Sequence, residues 1–239
     1  MLGRDDLIGL RLLDIGCGSG LHTLAALRLG AAFVQAVDID PECVSTTRAL
    51  LERHYDGANY RAAVGNIFLL KQQVQEQFDV VYSWGVLHHT GDMWEAISKA
   101  AEFVNSEGLF VLAIYQKTPR CEDWKKVKKR YNDGSRLVRA RILAGFVAHF
   151  FYRQIRKGRN PLSIIRLYNA NRGMNWTHDV LDWLGGYPYE SASADKIERF
   201  VCPLGFRLEQ TFGTDSPSGG RFGSQNAEYR FRRLDPGGS

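Results

Sequence analysis

Two stretches of this chain have residue types and spacings that suit chemistry. The first is Asp14-Ile15-Gly16-Cys17-Gly18-Ser19-Gly20, an acid followed by three glycines at alternate positions. Glycine lets the backbone turn sharply and approach a ligand with no Cβ in the way. Val37-Asp38-Ile39-Asp40 follows, with Asp38 twenty residues after Gly18. A carboxylate there, at the end of a second strand, suits the hydroxyls of a ribose. The second stretch is His88-His89. Imidazole titrates near neutrality, so either ring is a candidate base for an acceptor that must lose a proton.

These residues require a frame. Apolar runs predict strands near 10–15, 33–38, 60–64, 78–83, 108–115, 205–212 and 226–232, and helical patterns fall near 20–29, 41–54, 92–104 and 194–203. Such alternation argues for a parallel sheet covered on both faces. The segment from Leu21 to Leu29 would aim its first amides and positive dipole end at whatever the glycine turn holds. Pro41 suits a first helical turn. Asp92 with Glu95 three residues on reads as a cap. The layout is that of a nucleotide-binding α/β half.

The glycines read G-x-G-x-G, and Leu21 stands where a dinucleotide fingerprint has its third glycine. With Asp14 two positions ahead of Gly16, the stretch resembles motif I of the class I S-adenosylmethionine-dependent methyltransferases. Gly65-Asn66-Ile67, the run from Phe78 to His89 and the run from Gly108 to Tyr115 resemble that family's later motifs in order. The resemblance covers residues 10–115 and resumes at about 194–232. It implies a Rossmann-like, doubly wound seven-stranded α/β sheet with the last strand antiparallel, and S-adenosyl-L-methionine as cofactor. Asp14, Gly16, Gly18, Ser19 and Gly20 would hold its methionine end, with Cys17 packing inside the turn. Asp38 would take the ribose, with Ile39 beside it in the cofactor set, and Asn66 and Ile67 the adenine. Ser83 and Trp84, at the end of the fourth strand, would complete the cofactor set, and His88 or His89 would lie at its edge as the base. A dehydrogenase shares only the general strand–glycine–helix design.

Two departures from that family stand out. Only about nine residues precede the first strand, which predicts that the helices that roof the cofactor in the family are short or missing. About 78 residues, 116–193, separate the fifth strand from the helix at 194, far beyond an ordinary connection of roughly 2–6 residues. They predict a helical insertion acting as a lid and substrate region, between a cofactor domain formed by 1–115 and 194–239. Trp124 to Tyr131 is strongly basic, and Leu137 to Tyr152 is apolar with arginines at both ends. The apolar part reads as a lid helix packed on the domain or as a face between two copies, with a peripheral membrane-surface helix as the alternative. Arg172, Met174, Asp179, Tyr187 and Glu190 are the insertion's candidates for binding an acceptor, and each also suits a structural role.

Charge is divided unevenly. The net charge is +5, yet residues 117–166 hold 15 Lys/Arg against 3 Asp/Glu, so the remainder is acidic. A basic segment of this kind suits phosphates, nucleic acid or anionic lipid. Four scattered cysteines without metal-ligand spacing point to reduced thiols, a cytoplasmic setting and a metal-independent reaction. No signal-peptide core and no membrane-spanning run is evident. Together with these features, the resemblance implies a metal-independent methyltransferase acting on a small-molecule acceptor, with oxygen the expected atom and a phosphorylated, sugar, natural-product or lipid-linked compound the expected class. An RNA or tRNA methyltransferase using residues 117–166, and a catalytically inactive binding protein that keeps the cofactor fold, are the alternatives.

Overall fold

In a computed structural model, which describes residues 2–172, 175–213, 226–235 and 237, the apolar runs become one seven-stranded sheet. Its strands are β1 (Arg11–Ile15), β2 (Phe33–Asp38), β3 (Tyr60–Val64), β4 (Phe78–Trp84), β5 (Val104–Tyr115), β6 (Phe206–Phe212) and β7 (Asn226–Arg233). Their order is β3-β2-β1-β4-β5-β7-β6. Strands β1 to β5 pair in parallel, and β7 runs antiparallel to both of its neighbours. This is the expected doubly wound sheet.

Alternation along the strands divides the core into two layers. Leu13 and Ile15 of β1 pack in the layer that holds Met93 and Ile97 of α3 (Met93–Ala101) and Ile197 and Val201 of α8 (Ala194–Val201). Leu12 packs on the other face with Leu24 and Leu27 of α1 (Leu21–Arg28) and Leu51 of α2 (Pro41–His54). Caps fix two helix starts, the second as the sequence predicts. Asp40 accepts from the Glu42 amide ahead of α2, and Asp92 accepts from the Glu95 amide ahead of α3.

One boundary differs. The helix expected to run to about 104 ends at Ala101, and β5 starts at Val104 rather than 108. Asn105-Ser106-Glu107-Gly108 is polar and reads as a loop, but it is spliced into the strand as an irregularity between the Phe78–Val104 and Val80–Leu109 pairs. Asp79 holds it, accepting from Asn105 Nδ2 at 2.9 Å and from the Arg11 amide at 2.8 Å.

The chain forms two compact units, Met1–Thr118 with Glu190–Ser239, and Pro119–Tyr189. The ends of the long insertion belong to the first unit, because Ala192 lies beside the end of β5: its amide donates to Tyr115 O and its carbonyl accepts from the Lys117 amide. The second unit is α4 (Cys121–Asp133), α5 (Arg136–Arg156), α6 (Pro161–Arg172) and α7 (Trp176–Gly185). Within it Trp124 meets Phe146 and Trp183 edge-on. Lys128 is fully buried, its ammonium 3.9 Å from the centre of the Trp183 ring and donating to the Trp183 carbonyl.

Candidate functional site

The sheet order reverses between β1 and β4, and ligands of open α/β sheets bind at the carboxyl ends of strands at such a point. Both chemistry-bearing stretches lie there. After β1 the backbone takes positive φ at Gly16, Gly18 and Gly20, and the Gly16 and Cys17 amides both donate to Val37 O. A Cβ on Gly16 would stand 2.2 Å from Val86 Cγ2, so the turn touches the loop after β4. A Cβ on Gly18 would meet nothing within 4 Å, which leaves that backbone open to a ligand. The first turn of α1 has no acidic residue and no side-chain cap, so its leading amides remain suited to a carboxylate.

The acids of this site first hold the backbone. Asp38 Oδ2 accepts from the Gly18 amide at 2.9 Å and Oδ1 from the Asp40 amide at 3.0 Å. Each oxygen keeps a second lone pair for an outside donor. Asp14 is 2% exposed and accepts from Thr23 Oγ1 at 2.6 Å. Burial pushes its pKa up to about 6; the Thr23 hydroxyl opposes that rise and the nearby Asp38 charge adds to it. An arriving cation would draw the carboxyl back toward its ionised form. The same carboxylate lines a cavity of about 350 Å³ with Arg4, Leu7, Leu12, His22 and Tyr82.

Just past the carboxyl end of β2, Ile39 is 69% exposed beside Asp38, offering an apolar surface to a planar ring. Ile67 is buried, and half-buried Asn66 uses Oδ1 to accept from the Phe68 amide at 3.1 Å. Ser19 is exposed. Cys17 is buried and its thiol is pushed up to about 11, chiefly by that burial, so it packs the turn and is no nucleophile at neutral pH. The glycine geometry, the uncapped helix start and the open ring surface together fit a nucleoside cofactor carrying a carboxylate and a cation.

Three expected positions have partners inside the protein. Ser83 is buried and its hydroxyl donates to Ile15 O at 2.9 Å, tying β4 to β1. Glu190 belongs to the sheet unit, where its carboxylate accepts from the Met93 amide at 2.9 Å and its own amide donates to His88 O. It therefore caps α3 and anchors the loop after β4. His88 is fully buried, its ring 4.0 Å from that of Tyr115, while His89 is only partly buried and meets Tyr115 edge-on at 5.3 Å. Of the two rings, His89 is the one with access to solvent.

In the second unit Asp179 accepts from the Tyr168 hydroxyl, and Lys129 stands over the Tyr187 ring at 5.7 Å. Arg172 ends α6, but its side chain and Met174 lie outside the described residues.

Several side chains at the site escape sequence reasoning. Thr47, on α2, is buried and donates to Gly18 O at 3.1 Å, and Thr23 serves Asp14 as described. Both are small polar residues on the inner faces of amphipathic helices, the one signal that could have found them. Trp84 Nε1 donates to Glu228 Oε1 at 3.0 Å, with the His22 ring 6.0 Å from Trp84. That contact joins β4 to β7 across 144 residues of sequence, and no local pattern announces it.

A family model described as a methyltransferase domain matches residues 8–171. Over 117 residues the chain is 33% identical to the ubiquinone biosynthesis O-methyltransferase of Rhodopseudomonas palustris (strain TIE-1), covering 49% of this chain and 42% of that protein. Over 120 residues it is 34% identical to the ribosomal protein L11 methyltransferase of Alteromonas mediterranea, covering 49% and 38%. The matches thus span less than half the length of these curated relatives. Among solved structures, magnesium protoporphyrin IX methyltransferase from Synechocystis PCC 6803 with bound SAH aligns with a TM-score of 0.57 at 17% identity, covering 95% of this chain and 75% of that one. At that identity the likeness is one of fold.

Proposed function

The chain belongs to the class I, S-adenosylmethionine-dependent methyltransferase family, and on that premise we propose that it methylates a hydroxyl group of a small-molecule acceptor. The observation that carries this reading is the contact between the glycine turn and the loop after β4, which brings partly buried His89 and Tyr115 to the end of the sheet where the cofactor residues gather. When bound, S-adenosylmethionine supplies a methyl group activated on a sulfonium. Gly16, Gly18 and Gly20 would hold the methionine part against the backbone, with Asp14 facing its ammonium group. Asp38 would take the ribose hydroxyls on its free lone pairs, and Ile39, Asn66 and Ile67 would bracket the adenine.

The chain's main contribution is alignment and the exclusion of water. His89 takes the acceptor proton as a general base. His88, packed between His89 and Tyr115, is a positioning residue. Ser83-Trp84-Gly85-Val86 forms the end of β4 and the start of the loop beyond it, where base-amine methyltransferases place an Asn-Pro-Pro-Tyr or Asp-Pro-Pro-Tyr motif, which favours oxygen over an exocyclic amine. Acceptor choice is assigned to the inserted helices, with Asp179 and Tyr187 as the described candidates.

The test is formation of S-adenosylhomocysteine from S-adenosylmethionine with panels of phenols, sugars, lipid-linked alcohols, amines, bulk tRNA and ribosomal protein. Turnover with a hydroxyl compound, slowed in His89→Ala with cofactor affinity kept, is the expected result. Turnover only with tRNA, protein or amines would overturn the acceptor class. Absence of cofactor binding would overturn the site itself.

A further inference from the structure

The least explained surface of the molecule is the outer side of α5. This 21-residue helix has no fully buried residue, although it is rich in large apolar side chains. Its inner side is accounted for: Phe146 meets Trp124 of α4, and Phe150 meets Trp176 of α7 at 5.2 Å. The other side is apolar as well. Ala140, Leu143, Ala144, Val147, Ala148 and Phe151 form a shallow apolar strip, extended at the two ends by Leu137, 74% exposed, and Ile155, 64% exposed. A helical stretch that is apolar all round, as 142–148 is here, is ordinarily enclosed. The whole helix is about 30 Å long with one long side in the open.

The charges around the strip say what covers it. From Gly134 to His178 the chain has nine Arg/Lys and no Asp or Glu, and seven of those cations lie between Arg136 and Arg159. Arg136 and Arg141 stand at one end of the strip, and Arg156 and Lys157 at the other, with half-exposed Tyr152 beside them, while Arg139 turns inward to the carbonyls of Tyr131 and Asn132. A second copy of this face would bring like charges together. Nucleic acid would satisfy the cations but leave the apolar strip against water. An anionic bilayer satisfies both, phosphates to the cations and acyl chains to the strip. Among the described residues no helix is long and apolar enough to cross a membrane, so the geometry is that of a helix lying in the interface.

We propose that the outer face of α5 docks the protein on the surface of anionic lipid membranes, with Leu137, Ala144, Ala148, Phe151 and Ile155 entering the acyl boundary and the flanking arginines pairing with headgroup phosphates. This goes beyond the methyltransferase reading and stands without it.

The experiment is flotation of the full chain with vesicles of phosphatidylcholine alone and of phosphatidylcholine mixed with phosphatidylglycerol, at low and high salt. Binding to the anionic vesicles, little to the neutral ones and partial release by salt are expected. Ala144→Glu with Ala148→Glu, at exposed positions, should reduce binding by at least about tenfold with helicity unchanged by circular dichroism. Ala148→Trp should strengthen binding, with tryptophan emission shifted to shorter wavelength on vesicles. No binding to anionic vesicles, or binding that ignores both variants, overturns the proposal. So does self-association in sedimentation, or tRNA binding, that the Ala144→Glu/Ala148→Glu variant abolishes while vesicles remain unbound.

Discussion

Asp14 in the sheet unit and Lys128 in the helical unit are both buried, and the two are satisfied in different ways. Asp14 in the sheet unit has one hydroxyl partner, Thr23, and lines a cavity. Lys128 in the helical unit is surrounded by the rings of Trp183 and Tyr189, at 3.9 and 5.2 Å, and donates to a carbonyl. Burial moves both toward neutrality, Asp14 up to about 6 and Lys128 down to about 7. Aromatic faces and a carbonyl offset the desolvation of that cation only in part, since burial still lowers it to about 7. One hydroxyl compensates an anion only in part. The first unit thus keeps a carboxylate ready for a cationic ligand, and the second uses its ammonium to pin α4 to α7.

The sharpest way to break the first half of this contrast is Gly16→Ala. The new methyl would demand a left-handed backbone at φ 82 and collide with Val86. Strain and overpacking together predict a loss of roughly 2–5 kcal/mol in urea denaturation, with cofactor binding lost. Adding Val86→Ala should relieve the collision but not the backbone strain, so recovery should be partial. Asp38→Ala comes next, since it removes two amide acceptors and the expected ribose contact together. Calorimetry should show cofactor affinity reduced by at least roughly tenfold. Unchanged affinity would misplace the site.

Asp14 and Lys128 then test the contrast through pH. A ligand ammonium favours ionised Asp14, so cofactor affinity should weaken as pH falls below about 6, approaching about tenfold per pH unit. Asp14→Asn should bind weakly and without that dependence. Lys128 acts in the opposite range. Its folded pKa, about 7, lies below the ordinary 10.5, so between those values the unfolded chain holds more protons and stability rises with pH. Lys128→Met should flatten that rise in denaturation curves; an unchanged slope would mean another group titrates there.

The sequence showed what depends on local pattern. Seven strands, the glycine turn and the cap at Asp92 follow from apolar period, missing Cβ atoms and a side chain three residues from the amide it caps. The start of β5 was hidden because Asn105 to Gly108 is polar, and its strand pairing depends on Asp79 from a neighbouring strand. In the insertion, α6 escaped because its exposed Leu162 and Leu167 leave no clean stripe to read. Thr47 and Glu228 act on residues 29 and 144 positions away. Pairings of that range are fixed by the sheet order, which a single sequence implies only through resemblance.

The smallest effect separates structural from substrate roles at one residue. By type and position Glu190 is as good a candidate for an acceptor as Asp179 or Tyr187, yet its carboxylate is spent on the first amide of α3. Loss of such a cap costs about 1 kcal/mol. Glu190→Ala should therefore lower stability by that amount in denaturation. Glu190→Gln retains an acceptor oxygen and should recover most of it, and in both variants the acceptor KM should stay at its original value. If KM instead rises in Glu190→Gln while stability holds, the carboxylate meets the acceptor directly. The cap would then be only the resting partner of a group that changes partners when substrate arrives.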